Sequence, residues 1–301
     1  MAMENGALSS GTLFAQRGGT CDPQWGGDLL DLDAYLRRVG YDGPLTASTE
    51  TLFALHRAHK DTIAFENLDV ALERGVSLDL GDVQRKLVGA GRGGYCFEHN
   101  LLFAAVLERL GFPVTRLLAR VRQGRPQIRY RAHTVLIVGT GTGLWTADVG
   151  FGSEGLLDPL PLAAGPVTRV GAWSWRLVRE EDQWVLQSLH EDGWFDLYSF
   201  REERHFLVDF EVSNYYTAHH ARSTFTGKVV AMRGTEDVQQ TLVNGELTTR
   251  HGDGRTERRS ALSGDEVLDL LRDTFSIRLT DQDATLLRQR LTSEFLPLQE
   301  A

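Results

Sequence analysis

Gly91-Arg92-Gly93-Gly94-Tyr95-Cys96-Phe97-Glu98-His99-Asn100 runs directly into Leu101-Leu102-Phe103-Ala104-Ala105-Val106-Leu107. The glycine-rich half reads as a turn and the apolar half as a helix, with Cys96 in its first turn. Cys96, Asn100, Phe103, Val106, Leu107 and Leu110 recur at helical spacing, so that face turns inward. Gly111 and Pro113 end the helix. A helix N-terminus carries free N–H groups and about half a positive charge, which favours thiolate over thiol. Gly93 and Gly94 are expected to take positive φ and leave the sulfur uncovered. Taken alone, such a cysteine is more often a small buried hydrophobe.

It does not stand alone. Arg131-Ala132-His133-Thr134-Val135-Leu136-Ile137-Val138 alternates as a strand, Gly139-Thr140-Gly141-Thr142 is a turn, and Leu144-Trp145-Thr146-Ala147-Asp148-Val149 returns. A turn that keeps all of 139–142 in the loop pairs Val138 with Gly143 and carries the register back until His133 faces Asp148. A slip of one residue would put the two on opposite faces. Cys96, His133 and Asp148 then have the residue types of nucleophile, base and orienter.

The 301 residues suit two or three compact units. A hydrophobic content of 42% is ordinary for a soluble protein. The formal charge of −9 argues against nucleic acid or an anionic membrane as a main partner. No apolar run reaches the roughly 18 residues of a membrane span, and the N-terminus lacks the basic start and apolar core of a signal peptide. Two cysteines are too few for a disulfide framework. A cytosolic, reducing location follows, and it suits a free thiol. Cys21 lies in Arg17-Gly18-Gly19-Thr20-Cys21, a near-copy of the Cys96 turn, but Asp22-Pro23 and Gly26-Gly27 follow and carry no helix onward. Residues 1–27 are expected to be a flexible extension without a catalytic role.

Residues 28–111 read as helical, with Leu29, Leu30, Leu32, Tyr35 and Leu36 forming one stripe and Thr49–His56 starting a second helix. From Val114 the period changes to two, with strands expected over 114–121, 133–138, 144–149, 173–178, 184–189 and 194–199. Gly139–Gly143 is followed by a strand, so it fails the context of a dinucleotide loop. Phe206–His220 is a connecting helix or irregular linker. Lys228–Met232 and Gln239–Val243 read as strands with Asn244-Gly245 as a hairpin turn. Ser263-Gly264-Asp265-Glu266 opens a helix as a capping box, and 281–294 is a terminal amphipathic helix.

At four places the sequence resembles the arylamine N-acetyltransferase family. Arg92–Asn100 matches its nucleophile motif, His133-Thr134-Val135-Leu136 its histidine strand, and Asp148-Val149-Gly150-Phe151-Gly152 its aspartate motif. Ile63-Ala64-Phe65-Glu66-Asn67-Leu68-Asp69 looks like its early Phe-Glu-Asn-Leu element. Ala64 and Ala221 stand where the family often has proline, a departure that touches local stiffness and not the chemistry. The resemblance implies an α+β multidomain fold with a cysteine-protease-like Cys-His-Asp arrangement. Its parts would be an extension (1–27), a helical bundle bearing the nucleophile (28–112), an antiparallel β-barrel bearing histidine and aspartate (113–205), an interdomain segment (206–222) and an α/β lid (223–301).

The resemblance further implies acetyl transfer from acetyl-coenzyme A to the nitrogen of arylamines, arylhydrazines or heterocyclic amines, through an acetyl group on Cys96. It places Phe65, Phe97, Val121, Phe151 and Phe225 near the nucleophile as an acceptor pocket; without it they would be read as core. Bare backbone at Gly150 and Gly152, flanking Phe151, would admit coenzyme A, with Thr226 and Gly227 as further contacts. Arg92 and Glu66 either pair to hold the nucleophile turn or are two separate surface charges. His99, three residues after Cys96, has a ligand-like spacing, but a zinc site needs more ligands than are at hand, and no metal is expected. Homodimer formation stays open. A macrolactam-forming amide synthase, a cysteine peptidase or transglutaminase, and a non-enzymatic binding module are the other readings.

Overall fold

The computed structural model describes residues 25–124 and 127–292. Helices α1 (Leu32–Val39), α2 (Thr49–Thr62), α3 (Leu68–Ala71), α4 (Leu80–Gln84) and α5 (Cys96–Arg109) come first, then α6 (Leu207–His219), α7 (Gly264–Asp273) and α8 (Asp281–Arg290). The local chemistry accounts for their ends. Asp31 and Ser48 accept N–H groups of the first turns of α1 and α2, and Gly40 ends α1 in the left-handed region at φ 67°. Ser263 and Glu266 form the capping box of α7. The stretch 206–220 is resolved in favour of a helix, α6. The expectation of one inward face on α5 was too narrow: every residue from Cys96 to Leu107 is buried, as suits a helix apolar nearly all round.

The strands are β1 (Phe65–Glu66), β2 (Val114–Val121), β3 (His133–Thr140), β4 (Gly143–Ala147), β5 (Leu160–Pro161), β6 (Val167–Val170), β7 (Trp173–Glu180), β8 (Gln183–His190), β9 (Gly193–Phe200), β10 (Val230–Gly234), β11 (Val238–Val243), β12 (Glu246–His251) and β13 (Thr256–Arg259). Two antiparallel sheets result, in the orders β5-β4-β3-β2-β9-β8-β7-β6 and β1-β10-β11-β12-β13. The first nearly closes on itself. The chain leaves β5 on one edge, bridges from Ala164 to Leu177 of β7, and then lies down as β6 on the other edge. Closure of this kind removes the exposed edges that an open sheet presents.

The structure corrects the hairpin register. Thr140 pairs with Gly143 and Val138 with Trp145, so the loop is the two residues Gly141-Thr142. Continued back, that register puts Gly150, not Asp148, opposite His133. The shift is by two residues, so Asp148 keeps the face on which it was expected. β3 is buried on both sides. Val135 and Ile137 join the barrel interior with Leu117, Trp175, Leu186 and Leu197. Leu136 and Val138 join the helical core with Leu102, Phe103 and Val106. A third core, including Ala231, Leu242, Val267, Leu271 and Leu287, lies between the second sheet and α7 and α8, and takes in Leu68 and Ala71 from the N-terminal region.

Candidate active site

The turn before α5 is shaped by close backbone approach. Positive φ falls at Gly91, not at Gly93 or Gly94. A Cβ on Gly93 would sit 2.1 Å from the Ala64 carbonyl oxygen, and one on Gly94 would sit 2.7 Å from the Glu98 carboxylate. Glycine is needed there because β1 lies against the turn: the Glu66 N–H donates to the Gly94 carbonyl at 2.8 Å. Buried charges brace the same place. Arg92 meets Glu66 at 2.7 Å, and Lys86 bridges Asp69 at 2.6 Å and Glu98 at 2.7 Å. Glu98 in turn accepts the Tyr95 N–H at 3.0 Å. Each charge has a partner, which burial requires.

Cys96 is buried rather than uncovered, at 3% exposure, but its sulfur borders a cavity of about 310 Å³ that His133 also lines. Its Sγ reaches the carbonyl of Ala132, the residue before His133, at 3.5 Å. His133 Nε2 and Asp148 Oδ2 are 2.7 Å apart and both side chains are buried. With Nε2 committed to the carboxylate, Nδ1 is the nitrogen left for the thiol. Phe151 and Tyr198 pack on the imidazole, with centroids at 4.9 and 4.7 Å.

Asp148 is held from three further sides. Asn100 Nδ2 donates to its Oδ1 at 2.9 Å, as does the Gly150 N–H at 2.9 Å. Its own N–H donates to His56 Nε2 at 3.2 Å. Burial opposes its charge, but His133, Asn100 and Gly150 outweigh that and hold the carboxyl well below the usual range. Burial pushes the Cys96 thiol up, Asp148 adds to it, and backbone contacts at Phe97 and Thr134 do not reverse it. Burial and Asp148 thus act against what the helix N-terminus favours. A thiolate beside the Asp148 carboxylate needs a cation between them, and the His133 imidazole can become one.

The other expected residues divide. Phe65, Val121, Phe151 and Phe225 line the cavity, as does Gly150. Phe97 does not: one residue past Cys96 it has turned to the far side of α5, where it borders a small gap with Trp25, Leu101 and Phe210. Gly150 and Gly152 owe their bareness to packing. A Cβ on Gly150 would meet Cys96 Cα at 2.8 Å, and one on Gly152 would meet Met232 Sδ at 2.6 Å. Thr226 donates to the His220 carbonyl at 3.0 Å; Gly152, Thr226 and Gly227 are not in the cavity wall, whereas Thr224 and Lys228 are. Cys21 lies outside the described residues. No group of three or more His, Cys, Asp or Glu among the described residues could hold a metal ion.

A buried histidine network beneath the site escaped the sequence reading. His99 Nε2 faces the Ala64 carbonyl at 3.2 Å, so it carries the proton and Nδ1 accepts. His59 Nε2–H then donates to His99 Nδ1 at 2.9 Å, and Tyr35 O–H donates to His59 Nδ1 at 3.0 Å. His56 Nδ1–H faces the Leu157 carbonyl at 3.1 Å, which leaves Nε2 to accept from Asp148. Burial keeps His56 and His99 neutral, with pKa values lowered to about 3, and His59 is lowered well below its ordinary value. Two of these imidazoles, with Lys60, sit at three- and four-residue spacing on the inward face of α2, and polar groups on a buried face were the available signal.

Cys96 and His133 line one cavity between a helix N-terminus and an antiparallel barrel, and the buried Asp148 carboxylate is bonded to His133. The family model described as N-acetyltransferase matches residues 48–284. The arylamine N-acetyltransferase of Mycolicibacterium smegmatis is 39% identical over 259 residues, which cover 84% of this chain and 94% of that protein. The structure of the Mycobacterium abscessus arylamine N-acetyltransferase superposes with a TM-score of 0.86 at 36% identity, covering 91% of this chain and 99% of that one. That of the Mycobacterium marinum arylamine N-acetyltransferase in complex with CoA gives 0.82 at 34% identity, over 87% and 98%. Fold, site and matches define an acyltransferase. The chain belongs to the arylamine N-acetyltransferase family.

Proposed function

We propose that the protein moves an acetyl group from acetyl-coenzyme A to the nitrogen of an arylamine, arylhydrazine or heterocyclic amine, through acetyl-Cys96. The supporting observation is the 2.7 Å contact of His133 Nε2 with Asp148, which leaves Nδ1 free on the wall that Cys96 shares. In this reading His133 takes the thiol proton and Asp148 steadies the imidazolium. The thiolate attacks the thioester carbonyl; a C–S bond to Cys96 forms, the C–S bond to coenzyme A breaks, and the proton leaves with the coenzyme thiol. The amine nitrogen then attacks acetyl-Cys96, its proton passes to His133, and the Cys96 thiol is restored. Two half-reactions on one site give ping-pong kinetics.

Phe65, Val121, Phe151 and Phe225 give the cavity apolar walls, which suit a flat, weakly basic amine that enters uncharged. Arg129 and Lys228 at the same cavity suit the phosphates of the donor, with Gly150, Phe151, Thr224 and Lys228 as the coenzyme's contacts. Arg92 and Glu66 hold the nucleophile turn. Intact mass after mixing with acetyl-coenzyme A alone tests the reading. A gain of one acetyl group, absent in Cys96→Ser, is expected; an unchanged mass would overturn it.

A further inference from the structure

Lys60 lies on α2, on the side of the site away from the cavity, and the chemistry above makes no use of it. It is buried, at 7% exposure, and Nζ donates to the Gly152 carbonyl at 2.9 Å. That partner is neutral. An ammonium has three donors, and taking one out of water is costly, so an apolar side chain of the same length would fill this space more favourably. The partner's position explains what the charge does. Gly152 has φ +92° and follows Phe151, whose ring sits edge-on to His133 and walls the cavity. The Gly155 N–H reaches the same carbonyl only at 3.4 Å, so Lys60 makes the short contact that fixes this turn.

The titratable groups coupled to the Lys60 charge are the carboxylates Asp148 and Asp61, which raise its pKa, and His56, His59 and His99, which its charge helps keep neutral. We propose that Lys60 is a positioning residue: its buried ammonium clamps the turn at Gly150–Gly152, sets Phe151 against His133, and balances the charge of Asp148 at the expense of fold stability. The proposal rests on the acyl-transfer reading. Burial pulls the Lys60 pKa down to about 8, while Asp148 and Asp61 pull it back up, so the clamp is charged at neutral pH and loses its charge as pH rises through that value.

The test compares wild type with Lys60→Met in single-turnover acetylation of Cys96 by acetyl-coenzyme A, with thermal midpoints on the same samples. At pH 7 the variant should acetylate about tenfold more slowly, with a midpoint equal to or above that of wild type because a buried charge has gone. The ratio of the two rates should shrink as pH rises through about 8. A variant with the wild-type rate, or one whose rate and midpoint fall together, overturns the proposal. If wild type forms no acetyl-enzyme, the acyl-transfer reading fails by itself, and the rates of Cys96 alkylation by iodoacetamide in the same pair then decide for Lys60 by the same criteria.

Discussion

Asn100 Nδ2 donates to Asp148 Oδ1 at 2.9 Å, one helical turn after Cys96 on the same helix. The helix that begins at Cys96 therefore also holds the carboxylate that is bonded to His133. The same Nδ2 donates to the Thr134 carbonyl at 2.8 Å, and Asn100 Oδ1 accepts the Val149 N–H at 3.1 Å. One side chain thus ties α5 to the strand carrying His133 and to the turn carrying Asp148.

Asn100→Ala should lower acetyl transfer about tenfold or more through misplacement of the dyad, and stability by about 1–3 kcal/mol through unpaired buried groups. Steady-state kinetics and denaturant unfolding measure the two. A variant with wild-type kcat would show that Asp148 needs no such support.

Cys96→Ser should lose essentially all transfer, while Cys21→Ser keeps it. Asp148→Asn should cost about 10³-fold or more, because the amide favours the wrong imidazole tautomer. Equal loss in both cysteine variants, or a folded Asp148→Asn enzyme near full rate, would remove the proposed roles.

Burial and Asp148 push the Cys96 thiol up, and the proposed imidazolium of His133 is the group that would oppose them. Alkylation by iodoacetamide should be fast at pH 7 in wild type. In His133→Ala the counter-cation is gone and the raised thiol stands alone. Its profile should shift to higher pH than that of a free cysteine, about 8.5. Superimposable profiles would exclude an ion pair.

The three buried imidazoles should make the fold acid-labile. His56 and His99 have folded pKa values near 3 and His59 lies well below its ordinary value, whereas the unfolded chain binds protons near pH 6.5. Below that pH the unfolded state holds more protons, so stability falls as pH falls, by about 1.4 kcal/mol per pH unit for each imidazole. The thermal midpoint should drop steeply between pH 6.5 and 5, and less steeply in His59→Gln. A flat profile would mean that the network is protonated in the folded state.

Gly150→Ala places a methyl 2.8 Å from Cys96 Cα, and backbone cannot yield as a side-chain tip does. It should cost about 1–3 kcal/mol by overpacking and separate thiol from imidazole. Circular dichroism melts and the acetylation rate read both effects; a neutral outcome would show that α5 can shift freely.

The sequence by itself determined the elements and pointed to Cys96, His133 and Asp148 as the residues of the candidate site. A glycine turn before an apolar run starts α5 at Cys96, and two-residue alternation marks β2–β4 and β7–β9, because these periods are set by each segment's own backbone geometry. Tertiary structure decided what lies between segments. The hairpin loop proved tighter than 139–142, so Gly150 and not Asp148 continues opposite His133; parity alone kept the aspartate on the right face. Phe97 left the cavity because α5 is buried all round and its next position faces another core. Glu66 with Arg92, Asn100 with Asp148 and Lys60 with Gly152 are joined across long stretches of chain. No local period encodes such meetings; they follow from two sheets and a helix competing for the same buried volume, in which every polar group must find a partner.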